Sequence, residues 1–255
     1  MTTTPLKMYR QQLLTYGVTV VPCLTQSELK YYHNALAKDI SEFPEYLHHS
    51  PPQQQTVYVQ GAFGALGNPA SFHNPTVRRL RLHVFTKVAP LVFQGEKRNL
   101  CLLLDRVSIR RQGTKPGAEQ WHRDKSKLND VNNDDVHGGW LNLDLYNEQG
   151  FSCVLGTHTQ RSTDVGFVRE SNEYDALKTY IRVPPGHLII FYQNIVHEVL
   201  PIKSPIDSLR LYVGWYLTFG TQHLFNAQKF LFQLQTQAVI PLPSEQMPPM
   251  YSSNH

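Results

Sequence analysis

The run Trp121-His122-Arg123-Asp124 places an imidazole and a carboxylate two residues apart. At the end of an extended segment, residues with that spacing project from the same face. One His and one Asp on one side can grip a single divalent cation and leave most of its coordination sphere open. A second imidazole would complete the two-His, one-carboxylate set that suits non-haem Fe(II) and keeps positions free for substrate and oxygen. The spacing alone is not specific. The chain has 12 His, and a surface turn with a solvated Asp explains one His-x-Asp equally well. Two downstream segments narrow the choice. Ile195-Val196-His197-Glu198-Val199 sets a His in an apolar strand, and Arg210 follows in the strand Ser208-Leu209-Arg210-Leu211-Tyr212-Val213-Gly214-Trp215. A strand His and then a strand Arg is what iron-bound 2-oxoglutarate requires. The metal takes the keto-acid end and the guanidinium takes the distal carboxylate in a two-pronged bond.

Other residues of similar chemistry carry less. His48-His49 are adjacent, so they do not face one centre, and no carboxylate is spaced to join them. Asp124, Asp130, Asp134 and Asp135 are close in sequence but lack the calcium-loop spacing with its Gly and terminal Glu. His158 is a further candidate ligand or proton carrier. Three ligands already suffice, so it reads as a structural His at a strand end.

The elements that must position these residues follow from periodicity. Residues 6–16 predict a short helix ended by Gly17, and Val18-Thr19-Val20-Val21 is β-branched and predicts a strand. Thr25-Gln26-Ser27-Glu28 is a capping box opening an amphipathic helix over 26–41, with Leu29, Tyr32, Leu36 and Ile40 on its apolar face. Asn74-Pro75 caps a helix carrying Val77, Leu80, Val84 and Val88 that ends near Pro90, with Arg78, Arg79 and Arg81 on its solvated side. Leu100 to Arg111 predicts one or two strands. Trp140 to Tyr146 alternates, with Leu141, Leu143 and Leu145 opposite Trp140, Asn142, Asp144 and Tyr146. The strand 208–217 alternates in the same way, its leucines, Val213 and Trp215 opposite Arg210, Tyr212 and Gly214. Each has one apolar and one polar-aromatic face. That pattern fits any antiparallel sheet with a wet side, and it also fits an enclosed pocket, since His197 has Ile195 and Val199 on its own face. Val183-Pro184-Pro185-Gly186 is a turn before a buried strand over 188–192. Loops are expected at 44–73, 125–138 and 160–178. Several short strands without a βαβ rhythm predict an all-β core flanked by N-terminal helices.

With 255 residues the chain is long enough for one large domain with a substantial core. The expected organisation is a single domain over 1–220, in which helices within 1–95 cover a β core over 98–218. A C-terminal helix over 225–234 and a Pro-rich tail are expected within 221–255. Hydrophobic residues make up 41% and charged residues 17%, and the formal net charge of +4 suits a small anionic ligand. No Lys/Arg run exceeds Arg78-Arg79 or Arg110-Arg111, which gives no signal for nucleic acid. Cys23, Cys101 and Cys153 are an odd, sparse set that suggests a reducing compartment. With no apolar run of membrane-spanning length and no signal-peptide pattern, a soluble cytoplasmic protein is expected.

The order of these features resembles the phytanoyl-CoA dioxygenase family within the Fe(II)/2-oxoglutarate oxygenases. Thr114-Lys115-Pro116-Gly117 leading to Trp121-His122-Arg123-Asp124 is similar to that family's Lys-Pro-Pro-Gly turn before its Trp-His-x-Asp. Trp140 through Gly156-Thr157-His158, then Pro185-Gly186, the strand 188–192, His197 and Arg210 follow in the family's order, over roughly residues 10–218. The resemblance implies a mainly β fold with flanking α-helices and a double-stranded β-helix (jelly-roll, cupin-like) core. It implies Fe(II) held by His122, Asp124 and His197, 2-oxoglutarate as cosubstrate with Arg210 as its clamp, and Trp140 beside the cosubstrate. It further implies hydroxylation of a small organic substrate with O₂, releasing succinate and CO₂, with no catalytic group beyond the metal centre. In related halogenases a small residue replaces the carboxylate, so Asp124 favours hydroxylation. The sequence departs from the family at Leu155, where a proline is usual, at His187, where an acidic residue is frequent, and at Val199, where some members carry a hydroxyl. Two alternatives share the fold: a cupin-type metal protein that does not use 2-oxoglutarate, and a catalytically silent binding protein. The sequence carries no signal for the oligomeric state or the substrate.

Overall fold

The computed structural model describes residues 5–42, 60–63, 74–110, 112–113, 119–124, 136–160, 167–199 and 207–218. Among these residues three helices come early: α1 (Pro5–Tyr16), α2 (Gln26–Glu42) and α3 (Pro75–Val92). The strands are β1 (Val18–Pro22), β2 (Gln60–Phe63), β3 (Asn99–Arg110), β4 (Glu119–Asp124), β5 (Val136–Asn142), β6 (Gln149–Val154), β7 (Phe167–Arg169), β8 (Thr179–Val183), β9 (His187–Tyr192), β10 (Val196–Val199) and β11 (Ser208–Thr218). They form a six-stranded sheet in the order β1-β9-β5-β11-β3-β2 and a five-stranded sheet in the order β7-β4-β10-β6-β8. All ladders are antiparallel. From β3 to β11 the chain passes back and forth between the sheets, which makes the core a double-stranded β-helix, mainly β with flanking helices. β11, last in the described chain, lies at the middle of its sheet, bonded to β5 on one side and β3 on the other.

Alternation decides which face is which. Leu209, Leu211, Val213, Trp215 and Leu217 of β11 join Val107, Ile109, Leu141, Leu188 and Ile190 in one apolar layer. The helices close that layer with Leu13, Leu29, Leu36, Leu80, Val84 and Val88. α2 begins as its capping box requires, with the Thr25 N–H on Glu28 Oε2 (2.8 Å) and the Glu28 N–H on Thr25 Oγ1 (3.3 Å). The Asn74 side chain accepts from the Thr76 and Val77 N–H groups at the start of α3. The six-stranded sheet's other face turns toward the five-stranded sheet. A second apolar group, with Val18, Trp140, Phe151, Phe191 and Ile195, lies there.

Several expectations are corrected. α3 ends near Pro90 as expected but runs through it to Val92, closed by the Phe93 N–H on the Ala89 carbonyl (2.9 Å). One missing N–H in the last turn is offset by burying Val88 and Val92. Arg81 is buried, not solvated, because 77, 81, 84 and 88 share one helical face, which packs on the core. β5 starts at Val136, inside the expected loop 125–138, and stops at Asn142. Its glycines are needed there, since a Cβ on Gly139 would sit 2.0 Å from the Ile189 carbonyl oxygen. It ends because the Asn142 side chain turns the chain, donating to the Asn147 and Val183 carbonyls (2.9 Å each) and accepting from the Asp144 N–H (2.9 Å). Tyr146 is thus exposed. The expected loops 44–73 and 160–178 contain β2, β7 and a 3₁₀ turn over Asn172–Leu177. The helix expected over 225–234 and the tail lie outside the described residues, as do His48, His49, Asp130, Asp134 and Asp135. No helix among the described residues is long and apolar enough to cross a membrane.

Candidate metal centre

β4 and β10 lie side by side, and their register sets His122 opposite His197. Both imidazoles are buried, their rings 4.2 Å apart and tilted by 52°. Asp124, two residues beyond His122 on the same face, is half-exposed at 47% of its side chain. The carboxylate reaches both rings: Oδ1 lies 3.7 Å from His122 Nε2 and Oδ2 3.5 Å from His197 Nε2. The three candidate ligand atoms fall within 4.8 Å of one another.

The backbone fixes which nitrogen of each ring faces inward. His122 Nδ1 lies 2.7 Å from the Gln120 carbonyl oxygen, and His197 Nδ1 lies 3.0 Å from that of Ile195. A carbonyl can only accept, so each Nδ1 donates and each Nε2 is the nitrogen left to face Asp124 and to offer a metal its lone pair. Two imidazoles and one carboxylate, set on two neighbouring strands, form a donor set that fits a divalent first-row metal with open positions.

The outer face of β4 is held as firmly as its inner face is open. Trp121 is buried there and donates Nε1–H to Asp175 Oδ1 (2.7 Å). Arg123, only 3% exposed, donates to the Thr157 carbonyl (2.8 Å), the Asn194 carbonyl (2.6 Å) and Gln160 Oε1 (2.6 Å), and pairs with Glu170. It ties the His122/Asp124 strand to the turn that launches the His197 strand. Sequence reasoning missed Arg123, which occupied the unspecified place in His-x-Asp. Only its position on the alternate face offered a signal.

Inward of the ligands, Phe151 and Phe191 each lie 5.4 Å from the His197 ring and stack on each other at 4.6 Å. Trp140 follows, 5.4 Å from Phe151. The Arg210 guanidinium lies over the Trp140 ring at 5.1 Å and near Tyr212 at 5.8 Å, with Nη1 3.5 Å from the Tyr212 hydroxyl. The Trp140 indole N–H is buried without an acceptor among the described residues. Neither Asp144 nor Asp207 pairs with Arg210. Asp144 accepts from the Leu209 N–H (2.7 Å) and Gln149 (2.9 Å), and Asp207 from the Gln112 N–H (2.7 Å). Burial raises the Asp144 carboxyl above its ordinary pKa, against smaller lowering effects of its bonds and of Arg210. His158 stands apart from the triad. It stacks on Tyr192 at 4.8 Å and its Nε2 lies 3.1 Å from the Leu14 carbonyl oxygen. It sits against Gly17, where two things require glycine: a φ of 82°, and the 2.5 Å that would separate any Cβ from His158 Nδ1.

No known family model matches the chain, and no curated protein matches it in sequence. Solved structures do share its fold. The non-haem α-ketoglutarate-dependent epimerase SnoN from nogalamycin biosynthesis is 18% identical, with 93% of this chain covered, 92% of that chain, and a TM-score of 0.64. SnoK, the non-haem α-ketoglutarate-dependent carbocyclase of the same biosynthesis, is 16% identical over 89% of this chain and 93% of its own, with a TM-score of 0.62. HygX from Streptomyces hygroscopicus, solved with nickel, 2-oxoglutarate and hygromycin B, is 16% identical over 82% and 88%, with a TM-score of 0.56. At such identities the likeness is one of fold, and it is the fold of non-haem iron, 2-oxoglutarate-dependent enzymes.

Proposed function

We propose that the chain is an Fe(II)/2-oxoglutarate-dependent oxygenase, similar to the phytanoyl-CoA dioxygenase family, that hydroxylates a small organic substrate and releases succinate and CO₂. The observation that carries this reading is the inward Nε2 atoms of His122 and His197 meeting the Asp124 carboxylate. In this reading those three residues hold the metal by one face. When bound, Fe(II) supplies O₂ activation coupled to oxidative decarboxylation of the keto acid. The chain's own residues supply geometry and shielding. Phe151, Phe191 and Trp140 make the wall beside His197 apolar and keep water from it. Arg210 takes the distal carboxylate, with Trp140 alongside as the cosubstrate's neighbour. The structural neighbours' small-molecule ligands, nogalamycin RO in SnoN and hygromycin B in HygX, support a small organic substrate. Their epimerase and carbocyclase reactions leave oxidation without net hydroxylation as a second outcome of the same site.

The test is succinate release from 2-oxoglutarate by iron-loaded protein in air, first without and then with candidate substrates. Slow uncoupled release is expected before any substrate is found. His197→Ala and Asp124→Ala should each remove iron binding in calorimetry and abolish succinate, with the folded spectrum retained. Protein that binds iron but neither binds 2-oxoglutarate nor makes succinate would instead be a cupin-type metal protein. Failure to bind any metal would make it a silent member of the fold.

A further inference from the structure

We infer that Arg110 is a second anchor for the cosubstrate's distal carboxylate, so that the far end of the cleft grips that group with two guanidiniums. This rests on the function proposed above. On the β3–β11 ladder Arg110 stands opposite Ser208, and Ser108 opposite Arg210. Cross-strand partners share a face, so Arg110 and Arg210 are diagonal neighbours on the side turned to the other sheet. Val107 and Ile109, between and beside them, are buried in the helix-covered layer, which confirms the alternation. Neither guanidinium has a carboxylate partner among the described residues, and Arg110 Nε is buried with no acceptor. The nearby buried carboxylate, Asp144, is occupied by the Leu209 N–H and Gln149. Burial first, and the charge of Arg210 second, pull the Arg110 pKa below its ordinary value, against a smaller opposing effect of Tyr212. Two like charges, partly desolvated and without a counter-ion, are costly unless an anion joins them.

Position identifies the anion. Phe191, beside His197, is opposite Gly138, and Gly138 is opposite Gly214. Arg210 is opposite Asn142, four residues along the strands from that level, roughly 13 Å at ordinary strand rise. A five-carbon dicarboxylate bound through its keto acid, together with one arginine side chain, spans such a distance. Arg110, opposite Ser208, lies two residues further from the metal still. By that measure Arg110 is out of reach of a group reacting at the metal, and its side chain, whose charge is felt by both Arg210 and Tyr212, must run back along the strand to meet the carboxylate that Arg210 holds.

The test is anaerobic titration of metal-loaded wild type, Arg110→Met and Arg110→Lys with 2-oxoglutarate and with 2-oxopentanoate, which has the same chain length but no distal carboxylate. Arg110→Met should weaken 2-oxoglutarate binding tenfold or more and leave 2-oxopentanoate binding unchanged. Arg110→Lys should recover part of the loss, since an ammonium keeps the charge without the fork. Relief of the unpaired like charge should also raise the ligand-free melting temperature of Arg110→Met by about 2–4 °C. Wild-type 2-oxoglutarate affinity in Arg110→Met would overturn the inference alone. Equal loss of both keto acids with a lowered melting temperature would also overturn it, making Arg110 a structural residue. Should wild type fail to bind 2-oxoglutarate, the proposed function falls and this inference with it.

Discussion

Among the described residues Arg210 meets an aromatic platform and no counter-ion, its guanidinium lying over Trp140 at 5.1 Å and near Tyr212 at 5.8 Å. That leaves its hydrogen-bonding fork available to a ligand. A charge-assisted pair with a carboxylate contributes about 2–3 kcal/mol, so Arg210→Ala should weaken 2-oxoglutarate binding by roughly thirty- to a hundredfold. Arg210→Lys should restore only part of this. Metal affinity should not change, because the ligand strands are β4 and β10, in the other sheet. Calorimetry with metal and keto acid in turn checks both, and equal keto-acid affinity in wild type and Arg210→Ala would remove the clamp. Combined with Arg110→Met, the losses should be less than multiplicative if both side chains hold one group. At this scale the sequence was informative where chemistry and periodicity coincide. Trp140 and Arg210 fall on strands that alternation predicts, and His122, Asp124 and His197 on short extended segments marked by their residue types. It was uninformative where a charged residue is buried by packing: nothing local separates Arg81, which is buried, from the exposed Arg78 and Arg79.

Among elements, β4 works in both directions across its thickness. Its inner face offers two candidate ligands, and its outer face is fastened by Trp121 to Asp175 and by Arg123 to the turn at Thr157–Thr159, to Asn194 and to Glu170. Removing a buried partner leaves Glu170 and the carbonyls unsatisfied, at a cost of about 3–5 kcal/mol. Arg123→Met should therefore lower the melting temperature markedly. Because the spacing of the ligand strands loosens, metal affinity should fall roughly tenfold in the same variant. Arg123→Lys, keeping one charged donor, should recover part of the stability. Thermal melts and metal titrations on both variants decide it, and a melting loss with unchanged metal affinity would confine Arg123 to stability. Elements with strong signals were legible: α1, α2, β1, β9 and β11 begin or end within about a turn of where periodicity and caps set them. β7 was not, since three residues carry no period. The start of β5 was not either, since Gly138 and Gly139 count against a strand until the close approach of Ile189 is known.

For the whole molecule, the all-β core followed from many short strands without a βαβ rhythm, and its two-sheet form from the family resemblance. The pairing partners did not, because hydrophobic alternation assigns a face but not a neighbour. Thus β1 lies on β9, with Val18 opposite Phe191, and β2 closes the far edge against β3, neither of which any local pattern could specify. The placement of β11 has a consequence for how the protein is made. Its neighbours β3 and β5 are both synthesised well before it, yet they are not bonded to each other and meet only through β11. Until β11 arrives, a growing chain carries two facing, unsatisfied strand edges, each a template for the wrong partner. Arg210, the proposed clamp, arrives on the same strand, so closure of the sheet and completion of the proposed cosubstrate site are one event, late in synthesis and dominated by long-range pairing. Ribosome-bound chains halted before residue 207 should be protease-sensitive and should recruit holding chaperones. Chains extended well past residue 218, so that β11 clears the exit tunnel, should become resistant and gain 2-oxoglutarate-dependent protection in the same step.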